Sequence, residues 1–437
     1  MFRSFDSRVP KGDCCDWHQS ADPVASSKCL SFETLSLSLS LSHTHTHTQH
    51  PHTIPTHTYW LCLFSLSLFF LSLLSLTCSS FGELHFCSCS WQAGASADPY
   101  RSSDPHEKKQ ESEPPLQKTY KTLFEKQHKT EHDTVVEECE LPLIDLDQLN
   151  TGRRERDKCV RAMAKASSEW GFFQVVNHGI STDLLNRMSG EQAKVFGQPF
   201  EKKVKEKLLD FSSETYRWGA PSATNLQQLS WSEAFHIPLA NCSDPSHPDK
   251  STLRRTINEY AAAVSDLAQQ LAQLLTESLG FRTSYFAQNC GPSSCYLRLN
   301  RYPPCPLSSE VFGLISHTDS DFLTILHQDQ VGGLQLKKDG KWITVKPNQK
   351  ALIVNIGDLF QAWSNDAYKS VEHRVIANKI VERFSVAFFL CPSYDTVIET
   401  CRRPAMYKKF TFGEFRQQVQ EDVRRTGHKI GLPRFLV

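Results

Sequence analysis

Hydrophobic and polar residues follow two different periods along the chain, and the change between them predicts the order of its elements. From Leu253 to Leu274, apolar residues recur at alternating intervals of four and three, as on one face of an amphipathic helix. Gly280 is the predicted end of that helix. A shorter helix is predicted over residues 157–170, followed by an aromatic and β-branched strand within residues 171–179.

After Ser294 the pattern changes to short apolar runs that are typical of strands. The predicted strands are residues 295–299, 323–327, 333–336, 341–345, 351–356 and 384–390. Asp339-Gly340 predicts a hairpin turn between two of them. Many short strands in sequence favour a sandwich or barrel. Because the helices come first and the strands later, the predicted fold class is α+β with a β catalytic core.

The same patterns divide the chain into predicted parts. Residues 137–146 contain Pro142 and are predicted to open the folded region as an edge strand. The predicted parts are a low-complexity extension (1–113), an N-terminal domain (138–248), a long connecting helix (249–290), a strand-rich catalytic domain (291–395) and a C-terminal helical segment (396–437).

The first hundred residues differ in composition from the rest. Residues 34–82 contain no Asp, Glu, Lys or Arg, and they include alternating Leu-Ser and His-Thr pairs and an apolar, serine-rich run over 59–77. The run could span a membrane, and the histidines could bind metal. Repeated TC and CA dinucleotides would also encode such pairs. We favour a gene-model artefact over a disordered tail, and both over a membrane anchor.

Bulk composition points to a small-molecule substrate. The 437 residues include 48 Lys and Arg and 48 Asp and Glu, so the chain lacks the basic surplus that nucleic-acid or anionic-membrane binding requires. The 15 cysteines are scattered and odd in number, which favours reduced thiols. We therefore expect a cytoplasmic protein, with the nucleus left open as a second compartment, and no nucleic-acid or membrane partner.

His317 and Asp319 form the first part of a candidate metal site. On a strand, residues two apart point to the same face, so this imidazole and this carboxylate would enter one cavity. His373 is the best candidate for a second imidazole. An HxD pair or a single histidine is common without a metal, but two His and one carboxylate match the facial ligand set of non-haem Fe(II) oxygenases.

Arg383 makes the joint pattern specific. It follows His373 by ten residues and begins an apolar strand, where an unpaired guanidinium would be costly. A bound dicarboxylate would pair with it in bidentate fashion, and Ser385 could add a hydroxyl donor.

These residues together resemble the plant family of 2-oxoglutarate/Fe(II)-dependent dioxygenases. Two further segments match its motifs, WGFFQVVNHG at residues 170–179 and NRYPPCP at 300–306. The resemblance covers residues 114–437 and implies a double-stranded β-helix, or jelly roll, with an N-terminal helical region.

The resemblance also implies residue roles and cofactors. His317, Asp319 and His373 would hold Fe(II), and O₂, 2-oxoglutarate as co-substrate and ascorbate as reductant would complete the system. The residues implied for 2-oxoglutarate are Arg383, Ser385, Tyr302 and Asn300. His178 and His327 lie outside the ligand pattern and are not expected to bind metal.

A polar and aromatic stretch suggests the substrate. The segment RWGAPSATNLQQLSWSEAFHIPL, at residues 217–239, is predicted to be rich in loops. It resembles gibberellin 2-oxidases, in the group that acts on twenty-carbon precursors. Local packing is one interpretation, and a cover over a carboxylated diterpenoid is the other. The candidate substrate residues are Arg217, Trp218, Trp231 and His236, with Arg217 as the carboxylate partner. The implied reaction is 2β-hydroxylation, which inactivates the hormone; the alternatives are another gibberellin position, a flavonoid or an alkaloid.

Overall fold

The computed structural model describes residues 111–125, 136–205, 208–209, 215–220, 223–242, 251–282, 284–307 and 311–437. The interpretations of the Leu-Ser and His-Thr repeats and of the apolar run at 59–77 therefore lie outside the described residues. Among the helices within those ranges, none combines the length and the apolar character that crossing a bilayer requires. The eight cysteines in the same ranges are free thiols.

Helices and strands of the described ranges are numbered here in chain order. The α-helices are α1 (Leu116–Thr119), α2 (Lys121–Glu125), α3 (Arg153–Glu169), α4 (Thr182–Phe196), α5 (Phe200–Lys205), α6 (Thr252–Ser278), α7 (Tyr285–Asn289), α8 (Asp358–Ser364) and α9 (Phe412–Thr426). The strands are β1 (Glu138–Cys139), β2 (Leu143–Asp145), β3 (Phe172–Val176), β4 (Thr215–Trp218), β5 (Glu233–Pro238), β6 (Tyr296–Tyr302), β7 (Phe312–His317), β8 (Leu323–Gln328), β9 (Leu334–Lys338), β10 (Lys341–Val345), β11 (Leu352–Ile356), β12 (His373–Ile376), β13 (Arg383–Leu390), β14 (Val397–Ile398) and β15 (Phe410–Thr411).

Two sheets form the β core. The larger has the order β2-β3-β11-β8-β13-β6-β5-β4, and the smaller has the order β1-β10-β9-β12-β7. Within β6 to β13, every pairing is antiparallel, and neighbouring strands are often far apart in the chain, as in a jelly roll. The predicted α+β fold with a jelly-roll core is confirmed.

Side-chain alternation in the larger sheet separates the core from the cavity. On β13, Val386, Phe388 and Leu390 belong to the main hydrophobic core, whereas Arg383 and Ser385 face a cavity on the other side. The same division applies to its neighbours β6, β8 and β11. Because successive residues of a strand point to opposite faces, one strand serves both purposes.

The long helix α6 covers the core face of that sheet. It contacts β8 and β13, and its buried residues include Ile257, Val264 and Leu271, which all belong to the predicted apolar stripe. Burying a Leu, Val or Ile side chain stabilises the fold by about 1.5–3 kcal/mol. Helix α6 therefore covers one face of the larger sheet and leaves the opposite face for the cavity.

Most predicted elements agree with the structure, but the stretch at 217–239 does not. The helices predicted at 157–170 and from Leu253 to Gly280 are α3 and α6, and each of the six predicted strands is present. The stretch at 217–239, expected to be rich in loops, instead contributes β4 and β5 to the larger sheet. Its Gly, Pro and Ser residues suggested loops, but pairing with β6 outweighs that local preference.

A buried ionic network explains the polar residues of this stretch. Glu233 on β5 accepts hydrogen bonds from Lys203 at 2.6 Å and from Arg301 at 2.6 Å, and Arg301 also binds Glu113 and Glu382. Lys203 and Glu233 have no exposed side-chain surface. Removing one partner would leave a buried charge without compensation. The cluster therefore links Glu113 to the core face of the larger sheet.

Gly171 in the WGFFQVVNHG segment is required by a close backbone contact. Its φ is +63°, and a Cβ atom there would lie 2.3 Å from the Lys369 carbonyl oxygen and 2.7 Å from a Val371 methyl group. Gly179, at the end of the same segment, has φ +80° but no atom within 4 Å of a Cβ position. A side chain at Gly179 would therefore meet only an unfavourable φ, whereas a side chain at Gly171 would also overlap with neighbouring atoms.

We expect Gly171→Ala to lower the free energy of unfolding by about 2–4 kcal/mol, because it combines an unfavourable φ with backbone overlap. Gly179→Ala, the matched control, should cost about 1 kcal/mol from φ alone. Urea unfolding of the full chain measures both. Equal losses in the two variants would contradict the overlap as the cause.

Candidate active site

Two imidazoles meet across the smaller sheet. His317 is the last residue of β7 and His373 the first residue of β12, and the two are paired in register, with ring centroids 4.3 Å apart. His317 Nδ1 lies 2.8 Å from the Ile315 carbonyl oxygen, and His373 Nδ1 lies 3.0 Å from the Val371 carbonyl oxygen. A carbonyl only accepts, so each Nδ1 carries the proton and each Nε2 presents a lone pair.

Asp319 supplies an oxygen to the same point. Its Oδ1 lies 3.6 Å from His317 Nε2 and 3.8 Å from His373 Nε2. Its Oδ2 accepts hydrogen bonds from Thr324 at 2.6 Å and from Asn355 at 2.8 Å, which fixes the carboxylate and leaves Oδ1 free. Among the residues that the structure describes, only this trio forms a metal-ligand cluster, and neither His178 nor His327 belongs to it.

The sequence-based geometry of this pair was wrong in one respect. His317 and Asp319 were expected to share the face of one strand, but β7 ends at His317 and Asp319 lies in the segment before β8. The segment turns the carboxylate back toward the imidazoles because Thr324 and Asn355, from β8 and β11, bind it.

The site's electrostatics suit a divalent cation. Burial raises the pKa of Asp319, but the imidazoles of His373 and His317 and the bonds from Thr324 and Asn355 outweigh it and bring the pKa to about 2. Burial lowers the pKa of His317 to about 4, and His373 acts in the same direction. At neutral pH, Asp319 is therefore ionised and His317 neutral, as metal binding requires.

Arg383 is a buried cation in the same cavity. It is 2% exposed, and its Nη2 donates to Gln328 Oε1 at 2.6 Å. Its Nε and Nη1 find no hydrogen-bond partner among the described residues. Its guanidinium lies 5.0 Å from the centroid of the Tyr302 ring. A buried guanidinium with unpaired N–H donors provides a charged site for a carboxylate.

The other predicted 2-oxoglutarate residues surround Arg383. Tyr302 is paired in register with Arg383, and Asn300 with Ser385, on the adjacent strands β6 and β13. Asn300 Nδ2 is 3.4 Å from Ser385 Oγ, and all three neighbours of Arg383 are at most 5% exposed. The structure thus brings together every residue that the motifs assigned to the metal and the co-substrate.

The cavity lies between the two sheets and measures about 200 Å³. This volume admits a small molecule and excludes a folded polymer. Apolar side chains form part of the cavity lining; they are Phe172, Leu314, Leu326, Leu334, Val375, Ala387 and Phe389.

The four candidate substrate residues do not line this cavity. Trp218 packs edge-on against Phe200, and Trp231 is buried and donates its indole N–H to the Pro304 carbonyl. Arg217 is exposed, and the His236 ring lies behind Tyr296, with centroids 4.3 Å apart. For the two tryptophans, the interpretation as local packing fits better than the interpretation as a cover.

Several cavity residues were missed in the sequence. A polar residue inside an apolar strand, as Asn355 is, could have been noticed as a buried hydrogen-bonding group. Thr324 on β8 gave no comparable pattern, and neither did Gln328 at its end, which accepts a hydrogen bond from Arg383. Arg298 on β6 and Arg416 on α9 also line the cavity, and nothing in the local sequence distinguishes them from surface arginines.

Comparison with known families agrees with this geometry. Residues 293–392 match the model of the 2OG-Fe(II) oxygenase superfamily, and residues 141–259 match the model described as the non-haem dioxygenase in morphine synthesis N-terminal region. The chain is similar to the crystal structure of JOX2 in complex with 2OG, Fe and JA, with a TM-score of 0.56, 32% identity, and coverage of 70% of this chain and 94% of that one. The rice dioxygenase for auxin oxidation gives a TM-score of 0.56 at 28% identity, covering 68% of this chain and all of that one.

Curated relatives narrow the family. Gibberellin 2-beta-dioxygenase 8 of Arabidopsis thaliana is 61% identical over 303 residues, covering 69% of this chain and 88% of the relative. Gibberellin 2-beta-dioxygenase 5 of Oryza sativa subsp. japonica is 52% identical over 342 residues, covering 76% of this chain and 98% of the relative. The chain therefore belongs to the 2OG-Fe(II) oxygenase superfamily, as a member of the plant dioxygenase family that includes these gibberellin 2-beta-dioxygenases.

Proposed function

We propose that this dioxygenase adds a 2β-hydroxyl group to gibberellins and so inactivates the hormone, using Fe(II), 2-oxoglutarate and O₂. The observation that carries the proposal is the buried Arg383 guanidinium, with two free N–H groups, in the cavity that also holds the His-Asp-His cluster. Such a cavity has a place for a metal and a separate place for a dicarboxylate, which are the two requirements of the reaction.

The proposed ligands of Fe(II) are His317 Nε2, Asp319 Oδ1 and His373 Nε2. Two imidazoles and one carboxylate on one side of the ion leave positions open for other ligands. The Ile315 and Val371 carbonyls hold the ring orientations, and Thr324 and Asn355 hold the carboxylate. These outer contacts fix the donor atoms before any ion arrives.

The proposed 2-oxoglutarate site is built around Arg383. Its unpartnered N–H groups would donate to the carboxylate distant from the metal, and Ser385, Tyr302 and Asn300 lie within the same wall. Gln328 keeps the guanidinium in position through Nη2.

When bound, Fe(II) and 2-oxoglutarate supply oxygen activation: one atom of O₂ enters succinate as CO₂ leaves, and the other becomes the new hydroxyl group. The protein's part is to bind, orient and exclude water. Phe172, Leu314 and Val375 provide an apolar wall beside the cluster, which limits wasteful reaction with solvent. Orientation of the substrate then decides which carbon is oxidised.

The choice of substrate rests on the relatives. The four relatives from 48% to 61% identity all bear the name gibberellin 2-beta-dioxygenase, whereas a jasmonate-induced oxygenase is at 38% and gibberellin 20 oxidase 1 at 34%. The cytoplasm remains the predicted compartment.

We expect the purified full chain, supplied with Fe(II), 2-oxoglutarate and ascorbate, to release succinate only when a gibberellin is present. The incubation should include nineteen- and twenty-carbon gibberellins, a flavonoid and an alkaloid, with products identified by mass spectrometry. A hydroxylated flavonoid or alkaloid without any gibberellin product would refute the proposed substrate. Oxidation at another gibberellin carbon would refute the proposed position of hydroxylation.

We expect His373→Ala to weaken Fe(II) binding by at least about 100-fold, because it removes one of three donor atoms. His327→Gln is the matched control, since His327 lies on the core face of β8, and it should bind Fe(II) as the unsubstituted chain does. Each variant is first stripped of metal with a chelator and then titrated with Fe(II) under anaerobic conditions. The rise in melting temperature reports Fe(II) binding without turnover. Unchanged binding in His373→Ala would remove His373 from the ligand set.

We expect Arg383→Gln to raise the KM for 2-oxoglutarate by about 10- to 100-fold, because a charged hydrogen-bonded contact is lost in a buried site. Fe(II) binding should be unaffected, since Arg383 does not contact the ligand cluster. Exposed Arg403 provides the control substitution Arg403→Gln. A KM for 2-oxoglutarate that stays the same would show that its distal carboxylate binds elsewhere.

A further inference from the structure

Two guanidinium groups in the cavity wall have no carboxylate partner among the described residues. Arg298 lies on β6 between the cavity residues Tyr296 and Asn300, and Arg416 enters from α9. Both are half-buried, and within the described ranges neither forms an ion pair. The one hydrogen bond that Arg298 makes with a described side chain runs from its Nε to Asn300 Oδ1, at 2.8 Å, so its terminal nitrogens remain available.

The charge of the cavity leaves room for a further anion. Its lining contains three arginines and Asp319, a formal charge of +2 with the histidines neutral (three minus one). Fe(II) and 2-oxoglutarate carry opposite charges of equal size and cancel. Two positive charges therefore remain in a partly desolvated cavity, where an anionic ligand is favoured.

Arg298 and Arg416 both act on the same neighbouring histidine, His236. Burial, together with the charges of Arg298, Arg416 and Arg217, lowers the pKa of His236 to about 4. The His236 ring packs against Tyr296, which stacks on Phe389 with centroids 4.4 Å apart. A positive region thus borders an aromatic wall formed by Tyr296 and Phe389.

Strand register separates this region from the 2-oxoglutarate site. Arg383 is opposite Tyr302, whereas Arg298 is opposite Ala387, four residues farther along β13 and therefore about 13 Å away. Phe389, two residues beyond, is opposite Thr324, which binds Asp319. Arg298 therefore stands near the level of the metal cluster, and Arg383 stands at the far end.

We propose that Arg298 and Arg416 together bind a carboxylate of the organic substrate, and that Tyr296 and Phe389 contact its apolar body. This inference rests on the proposed function and deepens it: the substrate class is a carboxylated, otherwise apolar ring compound. With its carboxylate held at the level of the metal cluster, the substrate is anchored on the side away from 2-oxoglutarate. The pair then decides which carbon faces the metal.

Arg217, the sequence-based candidate for this role, is less well placed. Its position opposite Ala234 on β5 puts it on the cavity side of the sheet, but at the outer edge, where it is exposed and outside the cavity lining. An exposed guanidinium contributes little to an ion pair. Arg217 and the proposed pair can therefore be distinguished by substitution.

The test compares KM and kcat for a gibberellin free acid in Arg298→Gln, Arg416→Gln, the two matching Lys variants and Arg217→Gln, each in the full chain with Fe(II) and 2-oxoglutarate. We expect each Gln variant of the pair to raise the gibberellin KM by about 10- to 100-fold, and the Lys variants to recover part of it. The KM for 2-oxoglutarate should stay within about twofold. Arg425→Gln is the control. Arg425 lies nine residues after Arg416 on α9, which is about two and a half turns, so it is on the opposite side of the helix.

Two further measurements separate binding from a structural effect. Equilibrium dialysis with labelled gibberellin should show the same loss of affinity, and melting temperatures should match that of the unsubstituted chain. The methyl ester of the gibberellin should bind the unsubstituted chain about as weakly as the free acid binds the Gln variants, and it should lose nothing further in those variants.

Distinct outcomes would overturn the inference. An unchanged gibberellin KM in both Gln variants, a rise in the 2-oxoglutarate KM alone, or a loss confined to Arg217→Gln would each do so. If the unsubstituted chain turns over another carboxylic acid but no gibberellin, the proposed function fails, and the same variants are compared on that acid. Turnover of neutral compounds alone would refute both.

Discussion

The buried guanidinium of Arg383 is the constraint on which the active site depends. A cation that is 2% exposed, with two N–H groups lacking a partner in the described chain, is stable in the presence of an anion and costly without one. Gln328 satisfies only Nη2, so the protein itself leaves other N–H donors of the group open. The cavity therefore favours an anion beside Arg383, and the metal cluster lies at its other end.

Strand alternation allows these polar residues to be buried without disrupting the hydrophobic core. On β13 the even-numbered residues Val386, Phe388 and Leu390 pack into the hydrophobic core, and the odd-numbered residues Arg383 and Ser385 face the cavity. The polar residues thus replace no core side chain, because they occupy the face that the helices do not cover. Helix α6 stabilises the core face, and the smaller sheet with His317 and His373 closes the other.

The metal cluster shows how neighbouring elements share one task. Each imidazole is oriented by a carbonyl two residues earlier in its own strand region, whereas Asp319 is held by side chains from two other strands. Local bonds suffice for the histidines because a ring nitrogen can reach the nearby backbone. The carboxylate lies after the end of β7 and needs Thr324 and Asn355 to fix it.

Much of this was present in the sequence by itself. The four-three spacing before Gly280 predicted α6, and the short apolar runs after Ser294 predicted six of the strands. Motif spacing and the family resemblance proposed the residues of the metal and 2-oxoglutarate sites. Periodicity and motif spacing are local properties, so local reasoning recovers them. Only the tertiary structure decided which other side chains enter the cavity. It brought in Arg298 and Arg416, placed Trp218 and Trp231 in packing positions, and turned the stretch around Glu233 into β5, because the face a residue occupies depends on pairing between distant strands.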